Sequence, residues 1–507
     1  MKTTSIWKAT ADKQINFPPL QKDITVDVAI VGGGITGLMS ALFLSEAGKK
    51  VAVFEALNVG LGTTGYSTGN LYSIVDEHLS KIKSKWDKEV MINVVKSRSR
   101  ALDLIEQTIN KFGIECDFAR QPFHYFAEKL DDYAVEFLNE EHTTAQEAGL
   151  NATLTSDIPL NFPVERGLRI ENQAQFHPLK FIRGLAEKVS DKFMIFENTK
   201  IEEIDEDNIT LKTASNTIKA DKIIIATHTP KGIFAVQSFM GPYREYGVAG
   251  TLKSGNYPQG IFWQVSEGKK HSVRSFNDNG KNYIMVIGEK HKTGQEDDST
   301  NREQRLEKYL KVRCDIDTFE YRWGGQHYRS ADGLAFIGQS FMTDDTYIAT
   351  GFATDGLVYG TLAAMIIKDH ILGKRNEYFE MYNSRRITPL KSAASFIKEN
   401  INEVIQYLKD YPGNADADEF SEVKKDEGKI IEIKGEKCGV YRDEDDKLHI
   451  VSAVCTHMKC IVNWNNLEKS WDCPCHGSRF NCKGEVIEGP AFSGLTLLTE
   501  TKLKNKK

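Results

Sequence analysis

From Val26 to Val31 the chain reads VDVAIV, apolar at every position but one, a density that predicts a buried strand. A glycine-rich break follows, and Leu38, Ala41, Leu42 and Leu44 then place apolar groups on one side of a helix. Val51 to Phe54 reads as a second strand. The long middle, roughly 75 to 350, mixes helical patterns with strand runs such as KNYIMVIGEK and KADKIIIATHTP, the latter closing on Ala226-Thr227. TYIATGFATDGLVYGTLAAMII then sets a glycine-rich turn before a helix starting near Gly356. In FIKENINEVIQYLKDYPG, the residues Phe396, Ile397, Ile401, Val404, Ile405 and Leu408 share one face, and Pro412-Gly413 stops that helix. A charged, turn-rich connector, NADADEFSEVKKDEGK, comes next. Beyond it the pattern changes to short β-like runs divided by glycines and acidic turns, which places a boundary near residue 420.

At 507 residues with 40% hydrophobic content, the chain is long enough for two or three globular units with large cores. A net charge of −6 spread over that length predicts no nucleic-acid partner. No apolar run approaches the roughly 18 residues of a membrane span, and the N-terminal stretch resembles neither a secretory signal nor an anchor. A cytoplasmic location is therefore expected. Of eight cysteines, six fall after Gly435, which indicates a local inorganic site rather than a disulfide framework through the whole chain.

Gly32, Gly34 and Gly37 form a G-x-G-x-x-G between the first strand and helix, and Glu55 ends the second strand, eighteen residues past Gly37. Gly32 permits a tight turn, Gly34 lets the backbone approach a pyrophosphate, and Gly37 lets the helix pack close to the sheet. The helix N-terminus, with Ile35 and Thr36, faces the phosphates, and Glu55 can accept from a ribose hydroxyl. These parts alone leave FAD and NAD both open.

With the loop GLGTTGYSTGNL, the strand ending at Ala226-Thr227, the segment ENTKIEEI and the late glycine turn, residues 24 to 372 resemble the glycine oxidase/D-amino-acid oxidase superfamily. The resemblance implies FAD, held on a Rossmann-type α/β domain with an inserted α+β substrate domain. It places Thr63, Thr64, Ser67 and Thr68 along the pyrophosphate and flavin, and Ile201 near adenine. Gly351, Phe352, Asp355, Gly356 and Leu357 would lie near the flavin pyrimidine ring, where a helix N-terminus stabilises negative charge on the reduced ring. The expected FAD-binding parts are about 24–75, 180–230 and 325–385, and the substrate-domain parts about 76–179 and 231–324, within a unit spanning 1–385. A helical linker would occupy 386–420.

Cys455-x-His457 and Cys473-x-x-His476 offer two thiolates and two imidazoles, a set that tetrahedral zinc or a [2Fe–2S] cluster could accept. CTHMKC and CPCHGSRF, followed by IEGPA, resemble the paired boxes of Rieske proteins, so that residues 421–507 are expected to form a small all-β Rieske domain. The resemblance implies a disulfide between Cys460 and Cys475 clamping the two loops, and a hydrogen bond from Ser478 to a bridging sulfide. Lys459 stands where many members have glycine, and Phe480 where high-potential members often have tyrosine. Cys116, Cys314, Cys438 and Cys482 read as ordinary cysteines.

Together these features predict an FAD-dependent dehydrogenase oxidising a C–N bond of an amine or amino acid. Electrons would pass singly through the cluster to an external acceptor protein or quinone. An NAD(P)H-fed reductase is the alternative, although only one convincing nucleotide fingerprint is present; a redox-sensing module is the third reading. Arg244, Tyr246, Arg274, His291, His327 and Arg329 are candidates to position substrate, with Tyr246, Arg274 and His327 preferred as catalytic residues.

Overall fold

The computed structural model describes residues 2–11, 15–253, 257–268, 270–295, 301–386, 419–433 and 435–499. The helix expected around Phe396–Leu408 lies outside the described residues. The first strand begins two residues earlier than its apolar run, at Ile24–Val31, and the glycine-capped helix spans Ile35–Glu46.

Two sheets form the larger unit. One runs in the order Phe336–Gln339, Thr346–Thr350, Thr217–Ile225, Ile24–Val31, Val51–Phe54, Met194–Phe196. Its pairings are parallel except at the Phe336 edge, and an antiparallel extension (Glu203–Asp205, Thr210–Lys212) pairs with Thr217–Ile225. The strands Ile24–Val31 and Thr217–Ile225 become apolar and buried toward their carboxyl ends, at Val28–Val31 and Ile223–Ile225, as strands covered on both faces require. The second sheet has ten strands, mostly antiparallel, centred on Met240–Leu252 between Ile316–Ser330 and Lys281–Lys292. It also takes in Lys2–Thr3 and Asn70–Leu71, and Ile316–Ser330 runs across the expected limit near residue 325.

The C-terminal unit is all-β. Glu427–Ile433, Glu436–Arg442 and Leu448–Ser452 form one antiparallel sheet, and Asn463–Asn465, Ser470–Asp472, Arg479–Asn481 and Val486–Glu488 form another. Trp471 and Phe480 are fully buried between them, in one core with Cys455, Cys460, Cys473 and Cys475. No helix among the described residues is long and apolar enough to cross a membrane.

Candidate nucleotide and cluster sites

Strand register brings the nucleotide motif together. Val31 pairs with Phe54 on one side and Ile225 on the other, so the residues that follow, Gly32, Glu55 and Ala226, meet at the carboxyl edge of the sheet. That edge is where open α/β sheets bind ligands. Gly32 has φ of +112°, and a Cβ there would lie 2.5 Å from the Ala226 carbonyl oxygen. A Cβ on Gly37 would fall 1.9 Å from the carbonyl oxygen of Gly32, so only glycine lets helix and turn lie this close. Gly34 caps the helix, and Ile35 N donates to Thr64 Oγ1 at 3.3 Å. Thr36 packs against Gly360 in the helix Gly356–Ile371, which brings a second helix alongside the first.

Glu55 turns its carboxylate into the same turn, accepting from Gly33 N at 2.7 Å and Leu57 N at 2.9 Å. Burial raises its pKa against these bonds and the nearby Lys231 ammonium. Ile201 is buried beneath the sheet with Ala29, Val31 and Phe54, and the Thr227 hydroxyl donates to Thr229 O.

The loop 60–71 is clamped from several sides. Ser5 Oγ donates to Gly65 O and Trp7 Nε1 to Ser67 O, each at 2.6 Å, while Trp323 Nε1 donates to Tyr66 O at 3.1 Å. The Ser67 hydroxyl donates to Thr64 O, Thr68 Oγ1 accepts from Asn70 N, and Thr63 Oγ1 lies 3.1 Å from His228 Nδ1. The N-terminal helix Ile6–Thr10 that supplies this clamp carries no motif, and sequence reasoning missed it. Opposite, Gly351 (φ +74°) and Phe352 lead into the first turn at Gly356 and Leu357. The Asp355 side chain faces the protein interior: it accepts from Tyr72 OH at 2.7 Å and Asp76 N at 3.0 Å and pairs with the buried Arg98 at 3.5 Å.

The preferred substrate residues separate. Arg274 is buried with its guanidinium spent on Thr68 O (2.9 Å) and Phe176 O (3.4 Å) and stacked over Trp7, so it holds the loop instead of a carboxylate. Burial lowers its pKa to about 9. Tyr246 faces the C-terminal unit, with its hydroxyl 3.4 Å from Asn465 Nδ2. Arg244 also turns there, and His291 stacks on Tyr246. These three candidates belong to the contact between the units. His327 does lie beside a buried cluster of charged residues, Asp76, Lys290 and Arg329: it stacks on Tyr243, its Nε2 is buried without a hydrogen bond, and burial keeps the ring neutral.

In that cluster Asp76 pairs with Lys270 at 2.6 Å, with Arg329 at 3.8 Å and with Lys290 at 4.0 Å, and Arg329 also pairs with Glu77. Burial alone would raise the Asp76 carboxyl, but these three cations outweigh it and hold the pKa well below the usual range. Glu245 faces the same cations. Arg329 and Glu77 line a small cleft, of about 10 Å³, together with Gly351, Phe352, Ala353 and Asp355. No local spacing connects residues 76, 270 and 290, so this grouping was invisible in the sequence. A larger groove beside the helix Lys88–Phe112 contains none of the residues of either site.

In the C-terminal unit two loops converge. Cys460 and Cys475 are disulfide-bonded, with Cα atoms 6.6 Å apart. The rings of His457 and His476 lie 5.0 Å apart and cross at 82°. His457 Nε2 donates to Gly232 O at 3.0 Å, which leaves Nδ1 unprotonated, and that atom is buried with no hydrogen-bond partner. An imidazole offering one nitrogen to a metal while the other N–H is held by a backbone carbonyl is the usual arrangement of a ligating histidine. Burial lowers both histidines, His476 to about 4, so both are neutral. The Cys455 thiol is lowered to about 7, by a hydrogen bond from Cys473 against the effect of burial, with the Ser478 hydroxyl adding to it. Cys473 is raised by the same bond and by burial. Among the described residues, the one group of three such donors within 4.8 Å is Cys460, Cys473 and Cys475, two of them already bonded. The four expected ligands do not close on a single point, as a set divided between two irons requires and a single zinc does not.

Lys459 adopts φ +63°, which explains a glycine preference at this position. Lys459→Gly is expected to stabilise the C-terminal unit by about 0.5–1 kcal/mol, the left-handed cost of a side chain less glycine's extra chain entropy. Calorimetry of the two proteins checks this.

The units are packed against each other. Asn463 Nδ2 donates to Gly294 O at 2.7 Å, Gln326 Nε2 to Gly477 O at 2.8 Å, and Gly232 N to Pro490 O at 2.9 Å. Gly477 has φ +74°, and a Cβ there would meet Pro242 Cβ at 2.6 Å and Tyr328 OH at 3.0 Å, so the histidine loop can touch the larger unit only with glycine at this position.

Residues 27–370 match the family described as FAD dependent oxidoreductase (DAO), and residues 415–499 match the Rieske [2Fe-2S] domain. The Bacillus subtilis (strain 168) protein YhfW, a Rieske 2Fe-2S iron-sulfur protein by description, is 30% identical over 96% of each chain. Gamma-glutamylputrescine oxidoreductase of Escherichia coli (strain K12) is 26% identical over 44% of this chain and 54% of its own length. The crystal structure of glycine oxidase from Geobacillus kaustophilus superposes with a TM-score of 0.59 at 18% identity, covering 72% of this chain and all of that one, which shows the shared fold. The Rieske match rules out the zinc reading. The chain belongs to the FAD-dependent oxidoreductases of the DAO family and is an oxidoreductase that binds FAD and, in a C-terminal Rieske domain, a [2Fe-2S] cluster.

Proposed function

We propose that this protein oxidises the C–N bond of an amine or amino acid at its flavin and passes the electrons one at a time through the cluster to an external acceptor. One observation carries the reading: the loop expected along the flavin and the loop expected at the cluster are linked by two packed side chains, the half-buried His228 and the buried Tyr328. Thr63 meets His228, His228 packs on Tyr328 with ring centroids 4.9 Å apart, and the Tyr328 hydroxyl reaches His476 O at 3.4 Å and Gly489 O at 3.2 Å.

When bound, FAD supplies two-electron acceptance from carbon and the cluster supplies single-electron acceptance. Gly32, Gly34, Ile35, Thr36 and Gly37 would cradle the pyrophosphate, and Glu55 the ribose. Thr63, Thr64, Ser67 and Thr68 would run along the flavin, with Ile201, Ala226 and Thr227 toward the adenine side. The backbone of Gly351, Phe352, Gly356 and Leu357 would meet the pyrimidine ring, while Asp355 braces that turn from behind. Cys455 and Cys473 would hold one iron, His457 and His476 the other.

Arg329 lines the cleft and is held by Glu77 through Nη2, and the edge of its guanidinium that Glu77 does not occupy would meet a substrate carboxylate. Asp76, Glu77 and Glu245 can face an ammonium. His327, kept neutral, can accept a hydrogen bond from the substrate amine at Nε2. The work asked of these residues would be positioning of the substrate rather than acid–base chemistry. The relative described as gamma-glutamylputrescine oxidoreductase supports an amine substrate.

The test is anaerobic mixing with a panel of amines, amino acids and NAD(P)H, following flavin bleaching and the reduced cluster by low-temperature EPR. Bleaching by an amine followed by the cluster signal is the expected result. Reduction by NAD(P)H alone would transfer the assignment to a reductase.

Phe480 is fully buried in the same core as Cys455 and Cys473. Phe480→Tyr is expected to raise the cluster potential by adding a hydroxyl donor to sulfur, within the about −150 to +300 mV open to such centres. Voltammetry of both proteins reads it, and an unchanged potential would sink this account.

A further inference from the structure

We propose that Tyr328 is the positioning residue that couples the flavin to the Rieske cluster, its main chain fixed to the flavin-side turn and its side chain to the histidine loop. It rests on the reading above, that the turn at 351–357 meets the flavin and that electrons pass from there to the cluster.

The geometry is specific to this residue. Tyr328 O accepts from Ala353 N at 2.8 Å, and Ala353 (φ +48°) sits inside the turn that leads to the helix Gly356–Ile371. The neighbouring pair Arg329 and Phe352 is bridged as well, so the strand Ile316–Ser330 is fastened to that turn at two consecutive residues. From the same Tyr328 backbone the buried ring extends to the other unit. Its hydroxyl accepts from Gln326 Nε2 at 2.9 Å and is shared between Gly489 O, at 3.2 Å, and His476 O, at 3.4 Å. One residue therefore spans the distance from a flavin-side amide to the backbone of a cluster ligand. A second contact with an expected cluster ligand, His457 Nε2 with Gly232 O, lies five residues of chain beyond Thr227 at the nucleotide edge. Gly477 keeps the space beside the hydroxyl open, since a Cβ there would come within 3.0 Å of it.

With both groups bound, each passage would remove one electron from the two-electron-reduced flavin and add it to the oxidised cluster. Tyr328 is neither oxidised nor reduced, and none of its bonds is made or broken.

The experiment uses the full holoprotein, with the flavin reduced by a light pulse in the presence of a sacrificial donor so that no substrate is needed. Formation of the reduced-cluster EPR signal is followed by rapid freezing in wild type, Tyr328→Phe and Asn463→Ala. Asn463→Ala removes a hydrogen bond between the units, to Gly294 O, that does not involve Tyr328. The expected result is a several-fold slower cluster signal in Tyr328→Phe alone, with flavin content, cluster potential and melting temperature unchanged. Equal rates in wild type and Tyr328→Phe would overturn the inference and leave the His457–Gly232 contact as the route. Equal slowing in both variants would overturn it too, because general docking would then explain the effect. A wild type whose flavin is reduced while its cluster stays oxidised would overturn the flavin-to-cluster reading itself.

Discussion

Arg244→Ala is expected to separate the unfolding of the molecule into two transitions, one for the FAD unit and one for the Rieske domain. Arg244 is 1% exposed, and its guanidinium pairs with Glu468 at 2.6 Å and lies 3.7 Å from Glu488. Arg479 shares the same acids, at 3.1 and 3.8 Å, and binds Asp472 at 2.9 Å. Two guanidinium groups thus face three carboxylates at a buried contact. Burial pushes the Asp472 carboxyl up, but Arg479 and Arg244 outweigh it and hold the pKa below its ordinary value. Removing Arg244 leaves three acids with one cation, and loss of one partner from a buried charge pair costs about 3–5 kcal/mol. That is several times the net contribution of one hydrogen bond, about 0.5–1.5 kcal/mol, so the domain should undock. Differential scanning calorimetry reads the split, and flavin content and cluster EPR per chain should be retained. Arg244→Lys keeps the charge but loses the fork that reaches both Glu468 and Glu488, and should fall between the two. A single unchanged transition in Arg244→Ala would show that this network does not hold the units together.

The second large effect is expected from Gly37→Ala, one methyl group at the front of the chain. The added carbon would start 1.9 Å from the Gly32 carbonyl oxygen, far inside contact distance, and the obstacle is backbone that cannot turn aside. The helix Ile35–Glu46 must then lift away from the turn and take its N-terminal amides with it. Relieving such overpacking costs about 1–3 kcal/mol, which, drawn from nucleotide binding, means roughly tenfold to a hundredfold weaker FAD retention. Flavin absorbance after gel filtration, compared with the cluster EPR signal of the same sample, checks this. Loss of flavin with the cluster intact is the expected pattern, because the Rieske domain has its own core. Full flavin occupancy would mean that this glycine is not needed for the turn.

How much of the molecule was legible before its structure depends on how far apart the cooperating residues lie. Gly32, Gly34, Gly37 and Glu55 sit within one strand–helix–strand unit, and the backbone rules that govern it act over a few residues. Cys455, His457, Cys473 and His476 are likewise confined to two loops of one small domain, and the Cys460–Cys475 bond joins those loops directly. The substrate residues were different. Arg274 and Tyr246 are polar residues on strands, and a strand position says which face a side chain takes but not what lies against that face. Arg274 was found against the Thr68 carbonyl and Tyr246 against Asn465, a residue of the other domain.

The sequence by itself determined the two cofactor-binding units, their order and the residue types at each, because turns, caps and metal-ligand spacings are short-range constraints. Only the tertiary structure decided that Lys270, Lys290 and Arg329 gather around Asp76 and that Arg244 and Tyr246 serve the domain contact. It alone also placed Tyr328 between the two sites. Those relations join positions up to a few hundred residues apart, and they arise from sheet order and from the packing of two units, neither of which leaves a periodic or local trace along the chain.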